Sequence, residues 1–295
     1  MRLYTIEFEG RELPAVEGKD NKIYTLESLG IPVKDMNELI VRFDALKETI
    51  GQKIAAAGSG GIEAGSSPVE HGTYRILAPI PVPMQDVVCL GVNYMSHISD
   101  MTKGLDFKEK KAAIYFGKRV NRANDPGGRI PMYDFVDSLD YEVELGVIIG
   151  RDAFCVSRED ALSYVCGYTI INDVTARNVQ KRHQQWYRGK SLDGYMPMGP
   201  CIVTADEIGD VYDLRISCYV NGEKRQDSST ALMITTIEEA VEELSSGMTL
   251  KAGTIIATGT PGGVAMGMDK PKFLRKGDVV RCEISGIGEL ENVVG

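Results

Sequence analysis

The stretch LDYEVELGVIIG, residues 139–150, decides the fold because its apolar residues fall on every second position. Such alternation is typical of a β-strand, whose successive side chains point to opposite faces. The apolar face, which we expect to lie in the core, consists of Tyr141, Val143, Leu145, Val147 and Ile149. The other face carries Asp140, Glu142 and Glu144, followed by Gly146, which we expect to leave room above the sheet.

Two interpretations of the acidic face remain open. An isolated E-x-E is typical of a half-exposed strand whose polar face happens to be acidic. The alternative is a site for a hard cation, since carboxylate oxygens are the ligands that Mg²⁺ and Mn²⁺ prefer.

A third acid, Asp173, ends the next apolar strand, YTIIN, residues 168–172, and is either a helix N-cap or a further ligand. Each pair of like charges about 4 Å apart costs about 4 kcal/mol at an effective dielectric near 20. Three converging carboxylates would therefore need a divalent cation. A distant Asp173, or an arginine or lysine between the acids, would argue against this hypothesis.

Composition indicates an ordinary globular protein. The 295 residues are 43% hydrophobic and 25% charged, enough for one large domain or one domain with a small appendage. A net charge of −9 argues against nucleic acid or an anionic membrane as the main partner. A small anionic substrate would need a local cation.

The cysteines and the termini indicate a cytoplasmic protein. Six cysteines are scattered without a C-x-x-C pair, which favours small core residues in a reducing compartment. The first residues include acids where a signal peptide needs an apolar stretch, and no run has the length of a membrane span.

The order of patterns predicts an α+β protein in two parts. Short strand patterns and one helical pattern over residues 36–56 predict a small N-terminal α/β domain, and a Gly- and Ser-rich linker completes it at 1–67. Residues 68–295, rich in strand patterns with few helices, are predicted to form the larger, α+β domain.

Other candidate groups are weaker on their own. His97 lies three residues before Asp100, so on a helix the carboxylate can prepare the imidazole to take a proton from water, although a surface histidine is equally compatible. Lys190 lies in GKS, residues 189–191, but Gln184 replaces the glycine that a phosphate loop requires. The loop GTPGG, residues 259–263, indicates a turn whose amides could receive an anion.

Taken together, several ordered motifs resemble the fumarylacetoacetate hydrolase family over roughly residues 76–295. They are GVNY (91–94) with His97, LDYEVEL (139–145), GYTIINDVTAR (167–177), GKSLD (189–193), MGP (198–200) and ATGTP (257–261). The resemblance implies a mixed sheet rolled into a pseudo-barrel, a homodimer, and Mg²⁺ or Mn²⁺ bound by Glu142, Glu144 and Asp173.

The resemblance also implies roles for the remaining residues. His97 and Asp100 would form a catalytic pair on a lid, and Lys190 would be catalytic. Gln180 and Thr260 would face the substrate, with Arg177 beside them as a substrate or support residue.

The chain departs from the family pattern in two places. Asp100 stands where many relatives have Glu, so its carboxylate reaches about one methylene less far. The segment RVNRANDPGG, residues 119–128, replaces a short Pro/Ser segment. Its arginines could recognise a second acidic group or lie in a solvated loop.

The resemblance implies an enzyme that acts on 2-oxo acids through a metal-bound enolate. We expect cleavage of a C–C bond, by acylpyruvate or fumarylacetoacetate-type hydrolysis or by oxaloacetate decarboxylation, which the bacterial branch slightly favours. An isomerase or tautomerase of hydroxymuconate-type diacids or oxaloacetate would use the same site. An alternative of another class is a non-catalytic metal- or metabolite-binding protein.

Overall fold

The computed structural model describes residues 1–58, 67–96 and 112–295. The α-helices in these ranges are α1 (Met36–Val41), α2 (Phe43–Gly58), α3 (Arg177–Arg182), α4 (Tyr187–Lys190) and α5 (Ile237–Ser245). The strands are β1 (Arg2–Phe8), β2 (Arg11–Glu17), β3 (Ile23–Thr25), β4 (Tyr74–Ile76), β5 (Val87–Gly91), β6 (Ile114–Lys118), β7 (Arg129–Ile130), β8 (Leu139–Asp140), β9 (Val143–Ile149), β10 (Val165–Asn172), β11 (Thr175–Ala176), β12 (Met198–Thr204), β13 (Arg215–Val220), β14 (Glu223–Ser229), β15 (Ile255–Ala257), β16 (Val279–Ile284) and β17 (Gly288–Val294).

Most strands belong to two sheets. The larger has the order β3-β2-β1-β12-β10-β9-β15-β5-β6, with β4 also paired to β1. The smaller has the order β14-β13-β16-β17-β7, while β8 and β11 form a separate pair. Neighbours are antiparallel except for β15 with β5 and β17 with β7. This mixture of sheets with few helices confirms the α+β class.

Strand β9 lies inside the larger sheet and is buried on both faces. The predicted core face, Tyr141, Val143, Leu145, Val147 and Ile149, is entirely inaccessible to solvent. The single strand expected over residues 139–150 is interrupted, because β8 ends at Asp140 and β9 begins at Val143. Tyr141 and Glu142 connect the two strands and remain buried.

The two faces of β9 pack against different parts of the chain. Leu145 and Val147 share a hydrophobic cluster with Ile216 and Val280 of the smaller sheet. On the other face, the N-terminal third of the protein contributes much of the cluster around Ile148. The opposite end of that second face, nearer the start of β9, carries the acidic residues.

The space above Gly146 is filled, contrary to expectation. A Cβ added at Gly146 would lie 2.6 Å from Cδ1 of Ile171 and 3.0 Å from Cγ2 of Thr169. Both side chains belong to the neighbouring strand β10. The glycine therefore allows close side-chain packing between two strands rather than leaving a cavity.

The pseudo-barrel that the resemblance implies is not closed over the residues that the structure describes. In the described ranges the hydrogen-bonded path of the larger sheet runs from β3 to β6, and these end strands do not pair with each other. Closure of a barrel requires both edges to meet. Here the smaller sheet covers the apolar face instead, so burial does not require the edges to join.

The N-terminal residues are part of the larger sheet. Strand β1 pairs with β12, with Leu3 opposite Ile202, and Leu3 packs in the same cluster as Ile148. The expected helix over 36–56 is divided at Arg42 into α1 and α2. A separate domain over 1–67 stays a prediction, although its strands extend the sheet of the remaining chain.

The structure also bears on membrane insertion. Among the residues described, no helix is both long enough and apolar enough to cross a bilayer.

Candidate active site

Three acids meet where β9 and β10 lie side by side. The antiparallel register places Glu144 opposite Ile171, and the Asp173 amide donates a 2.8 Å hydrogen bond to the carbonyl of Glu142. Glu142, Glu144 and Asp173 each contribute a carboxylate oxygen, and these oxygens lie within 4.8 Å of one another. The two glutamates are 2% exposed and Asp173 is fully buried, which rules out the half-exposed strand.

Buried basic groups surround the acids. The Lys190 ammonium donates to Glu142 Oε2 and to Asp173 Oδ2. The Lys118 ammonium lies 2.6 Å from Asp173 Oδ1 and 3.1 Å from the carbonyl of Val174. Burial lowers the pKa of Lys118 despite the opposing charge of Asp173. Burial acts the same way on Lys190, but Asp173 and Glu142 outweigh it and raise its pKa, so Lys190 is an ammonium at neutral pH.

Lys190 thus occupies the gap between two of the acids, the arrangement that was expected to argue against a metal. It reduces the repulsion but does not neutralise the cluster. All charged side chains that are buried in the described ranges belong to this one site: the acids Asp140, Glu142, Glu144 and Asp173, and the bases Lys118, Arg177 and Lys190. When all four acids are ionised they outnumber the bases by one, and this excess negative charge favours an added cation.

Glu144 is the least compensated acid. Its Oε2 accepts a 2.8 Å hydrogen bond from the Gly259 amide, and no salt bridge reaches it from the described basic residues. Burial, followed by the negative charge of Asp173, raises the pKa of Glu144 well above its usual range. Hard carboxylate oxygens with an excess negative charge fit Mg²⁺ or Mn²⁺, which Glu142, Glu144 and Asp173 would hold.

Arg177 holds the acidic cluster in place. Its Nε donates to Asp140 Oδ2 at 2.9 Å, Nη2 donates to Glu142 Oε1, and Nη1 donates to Gln180 Oε1 at 3.1 Å. Burial acts to lower the pKa of Arg177, but the negative charges of Glu142 and Asp140 outweigh it and raise the pKa above its usual value. Asp140 also accepts hydrogen bonds from the amides of Tyr141, Ala265 and Met266, which anchors the arrangement to the backbone.

A small pocket of about 20 Å³ opens beside the acids. Its lining combines apolar and polar side chains: Leu90, Gly91, Val92, Phe116, Glu142, Glu144, Arg177, Gln180, Trp186, Lys190 and Thr260. Trp186 packs so closely on Gly91 that an added Cβ would lie 2.5 Å from its ring. Val92 adopts a left-handed φ of 54°, a strained conformation for a β-branched residue and one that is frequent at functional sites.

Two pocket residues present hydrogen-bond donors. Because a guanidinium only donates, the Gln180 oxygen must face Arg177, and its NH₂ group is left for the pocket. Thr260 Oγ1 accepts a 2.7 Å hydrogen bond from Gln226 Nε2, so its own hydroxyl proton is available to donate. Both donors suit the oxygens of an anionic ligand.

The structure brings together most of the residues singled out in the sequence: Glu142, Glu144, Asp173, Arg177, Gln180, Lys190 and Thr260. His97 and Asp100 lie outside the described residues. Arg119 and Arg122 are exposed and form ion pairs with Asp86 at 3.8 Å and with Glu12 at 2.8 Å. This favours the solvated-loop interpretation of residues 119–128.

The buried positions of Lys118 and Gln226 and the role of Asp140 were not predicted from the sequence. Lys118 ends the pattern IYFGK, where a single base after an apolar run was a usable signal for a buried cation. Asp140 was visible on the acidic face, but its bond to Arg177 depends on the fold. Gln226 lies in the polar stretch EKRQDSS, which gives no indication of burial.

Comparisons with known proteins agree with this geometry. A model of the fumarylacetoacetate (FAA) hydrolase C-terminal region matches residues 86–295. The oxaloacetate tautomerase YisK of Bacillus subtilis is 44% identical over 234 residues, which cover 79% of this chain and 77% of that protein.

Two solved structures extend the similarity over the whole chain. A fumarylacetoacetate hydrolase from psychrophilic Exiguobacterium antarcticum is 38% identical with a TM-score of 0.81, covering 100% of this chain and 99% of that one. Maleylpyruvate hydrolase from Sphingobium sp. SYK-6, solved with manganese(II) and pyruvate, is 27% identical with a TM-score of 0.77 and coverage of 100% and 98%. Matching motifs, an acidic site with the donor set of a hard cation, and similarity over the full length lead to one conclusion: the chain belongs to the fumarylacetoacetate hydrolase family of enzymes.

Proposed function

We propose that the protein is a Mg²⁺- or Mn²⁺-dependent enzyme that interconverts the keto and enol forms of a small 2-oxo dicarboxylate such as oxaloacetate. One observation carries the proposal: every buried charge in the described ranges is gathered around the Glu142, Glu144 and Asp173 carboxylates. Burial of so many charges is costly, and buried charged groups with perturbed pKa values are frequent at functional sites. The activity named for the Bacillus relative favours tautomerisation over the C–C cleavage expected from the sequence.

The substrate class follows from the charges in and around the pocket. Lys190, Gln180 and Thr260 present hydrogen-bond donors, which match carboxylate and carbonyl oxygens. The adjoining segment, residues 181–188, contains the exposed bases Lys181, Arg182 and Arg188 and no acid. A local positive surface of this kind would attract an anion despite the net charge of −9.

Tautomerisation requires little from the protein beyond binding, charge stabilisation and proton transfer. In ketonisation the enol oxygen loses a proton and the neighbouring carbon gains one, so the formula of the substrate is unchanged. A divalent cation held by the three acids would stabilise negative charge that develops on the substrate. Lys190 stays protonated, so its ammonium serves as a hydrogen-bond donor and a positive charge rather than as a base.

Arg177 has a supporting role in this proposal. Its nitrogens already bond to Asp140, Glu142 and Gln180, so it holds the carboxylate of Glu142 and the amide of Gln180 in position. His97 with Asp100 remains the predicted pair for moving the proton, and a homodimer also stays a prediction.

The test follows the decay of enol absorbance when oxaloacetate enol is mixed with Mn²⁺-loaded protein. We expect ketonisation at least 100-fold faster than in buffer with the same Mn²⁺, and a loss of at least 100-fold in Glu142→Gln. The exposed substitution Glu289→Gln is the matched control and should have no effect. A wild-type rate equal to that of the metal-containing buffer would refute the proposal.

C–C bond cleavage is the second candidate, because the maleylpyruvate hydrolase structure contains manganese(II) and pyruvate. In hydrolysis, a water oxygen adds to the distal carbonyl, the C3–C4 electrons pass to C3, and C3 takes up a proton. Pyruvate release from oxaloacetate or acylpyruvates, measured in the same assays, distinguishes this reaction from tautomerisation. Binding of the metal and of the 2-oxo acid without any turnover would instead indicate the non-catalytic metal- or metabolite-binding alternative.

A further inference from the structure

Gln226 comes from the other sheet, yet it reaches the candidate active site. It lies on β14, the edge strand of the smaller sheet, in an otherwise polar stretch. Edge-strand glutamines are usually solvated. Gln226 is nevertheless only 1% exposed, which calls for a structural reason.

Both ends of the Gln226 amide are fully engaged. Oε1 accepts a 3.1 Å hydrogen bond from the amide of Val143, the residue between Glu142 and Glu144. Nε2 donates to Thr260 Oγ1 at 2.7 Å and to the carbonyl of Pro261 at 2.8 Å. Since a backbone amide only donates and a carbonyl only accepts, the orientation of the side chain is determined by its partners.

The backbone around Gln226 is shaped to make this reach. Cys218 lies opposite Gln226 while Tyr219 lies opposite Lys224, so Arg225 is an extra residue in a β-bulge. Bulges redirect side chains and are frequent beside active sites. The loop after β15 fits against the bulge only because residue 263 is glycine: an added Cβ would lie 2.0 Å from the carbonyl oxygen of Arg225.

The hydrogen bond from Gln226 determines the direction in which the Thr260 hydroxyl can donate. Gln226 donates a hydrogen bond to the hydroxyl oxygen of Thr260, so the hydroxyl's own proton points away from Gln226. Thr260 is 3% exposed and lines the pocket next to Glu142 and Glu144. The same glutamine therefore orients a pocket donor and ties its loop to the strand that carries the acids.

We propose that Gln226 is a positioning residue that holds Thr260 as a hydrogen-bond donor to the bound 2-oxo acid. It also sets the spacing between the Thr260 loop and the strand that carries the two glutamates. The inference rests on the proposed function, because it assigns the recipient of the Thr260 hydrogen bond to that substrate.

The experiment is a double-mutant cycle of Gln226→Glu with Thr260→Val. A carboxylate at position 226 still accepts from the Val143 amide, but it also accepts from Thr260 and turns the hydroxyl proton away from the pocket. The measured quantity is the affinity of the Mn²⁺-loaded protein for oxalate, a planar unreactive mimic of a 2-oxo acid enolate, determined by titration calorimetry. Mn²⁺ affinity and the melting temperature are measured alongside.

We expect each single substitution to weaken oxalate binding about tenfold, the cost of one lost hydrogen bond. The double variant should be no weaker than either single one, and Mn²⁺ affinity should change less than threefold. Gln52→Glu, an exposed glutamine on α2, is the matched control and should bind oxalate like the wild type.

The inference would be overturned if the losses of oxalate affinity in the two single variants multiplied to about 100-fold in the double variant. Unaltered oxalate binding in Gln226→Glu would overturn it as well. If Gln226→Glu fails to fold, Gln226→Met tests the same point, because it lacks the donor without adding charge and should show the same non-additivity with Thr260→Val. Failure of the wild-type protein to bind oxalate would refute the proposed function as well. Wild-type binding with an additive cycle would refute only the role of Gln226.

Discussion

Glu144 differs from the other acids of the cluster in how its charge is compensated. Glu142 and Asp173 each bond to basic side chains, whereas the described contact of Glu144 is the Gly259 amide. Its pKa is raised by burial and by Asp173, so its charged form is unfavourable until a cation arrives. This residue should therefore show the metal dependence of the site most directly.

Replacing Glu144 by Gln should stabilise the metal-free protein and abolish its response to metal. Because burial and Asp173 raise the pKa of Glu144, this group costs the metal-free protein stability at neutral pH, whether it stays charged or takes up a proton. The neutral amide removes that cost, on the order of 1–4 kcal/mol, so the melting temperature without metal should rise by a few degrees. Excess Mn²⁺ should raise the melting temperature of the wild type but not of the variant. A variant with lower metal-free stability and an intact Mn²⁺ response would contradict this.

Lys190 would compete with a bound cation for the carboxylates of Glu142 and Asp173. The ammonium bonds to Glu142 and Asp173, so a metal held by the same two carboxylates would have to displace it. Lys190→Met should therefore bind Mn²⁺ about tenfold more tightly, since a hydrogen bond between charged groups is worth about 1.5–3 kcal/mol. Turnover should fall at least 100-fold in the same variant, because the pocket loses its positive charge.

Calorimetric titration of Mn²⁺ measures the first effect and the enol assay the second. Lys224→Met removes an exposed ammonium paired with Asp227 and serves as the control. Weaker Mn²⁺ binding in Lys190→Met would mean that the lysine supports the metal site rather than competing for it.

At the scale of elements, the close approach of β9 and β10 determines where the acids meet. Gly146 on β9 lies under the side chains of Ile171 and Thr169 on β10, and Asp173 follows that strand directly. A change of strand spacing here would move Asp173 relative to Glu144. The packing of a glycine thus affects the geometry of a site in which it has no chemical role.

Gly146→Ala should destabilise the protein by about 1–3 kcal/mol, because a Cβ at 2.6 Å from Ile171 forces the side chain or the strand to move. Mn²⁺ affinity should fall with it. Gly117→Ala, also on a strand, has nothing within 4 Å of the added Cβ and is the matched control. Urea unfolding measures stability, and equal effects of the two substitutions would disprove the packing argument.

At the scale of the whole molecule, the first 58 residues and the rest of the chain share a sheet and a core. Strand β1 pairs with β12, and Leu3, Leu39 and Ile50 pack in the cluster that contains Ile148 and Ile171. That cluster supports the face of β9 and β10 opposite the smaller sheet. The strands that bear the acids are therefore stabilised partly from the N-terminal residues.

Deletion of residues 1–67 should lower the melting temperature of the remaining chain by more than 10 °C or leave it partly unfolded, because apolar surface at Ile148 and Ile171 becomes exposed. Thermal unfolding followed by circular dichroism checks this. A fragment 68–295 that melts within 2 °C of the full chain would instead support the two-domain organisation expected from the sequence.

The local sequence pattern was sufficient to predict the central strand, its acidic face and most residues of the site. The alternation in residues 139–150 identified a core strand and its acidic face, and the ordered motifs identified the family and the residues that gather at the site. Such features follow from the side-chain period of a strand and from the chemistry of carboxylates, which the sequence states directly. The interruption at Tyr141–Glu142 was not visible, because both residues fit the alternation.

The sequence by itself determined the strands, the acids and the family, since these depend on residues close together in the chain. Only the tertiary structure decided that Lys190 lies between Glu142 and Asp173, that Lys118 and Asp140 complete the charge cluster, and that Gln226 crosses from the second sheet. It also showed that the larger sheet does not close over the residues that the structure describes. Contacts between residues distant in sequence depend on sheet register and packing, and these are set by burial of the whole core rather than by any local pattern.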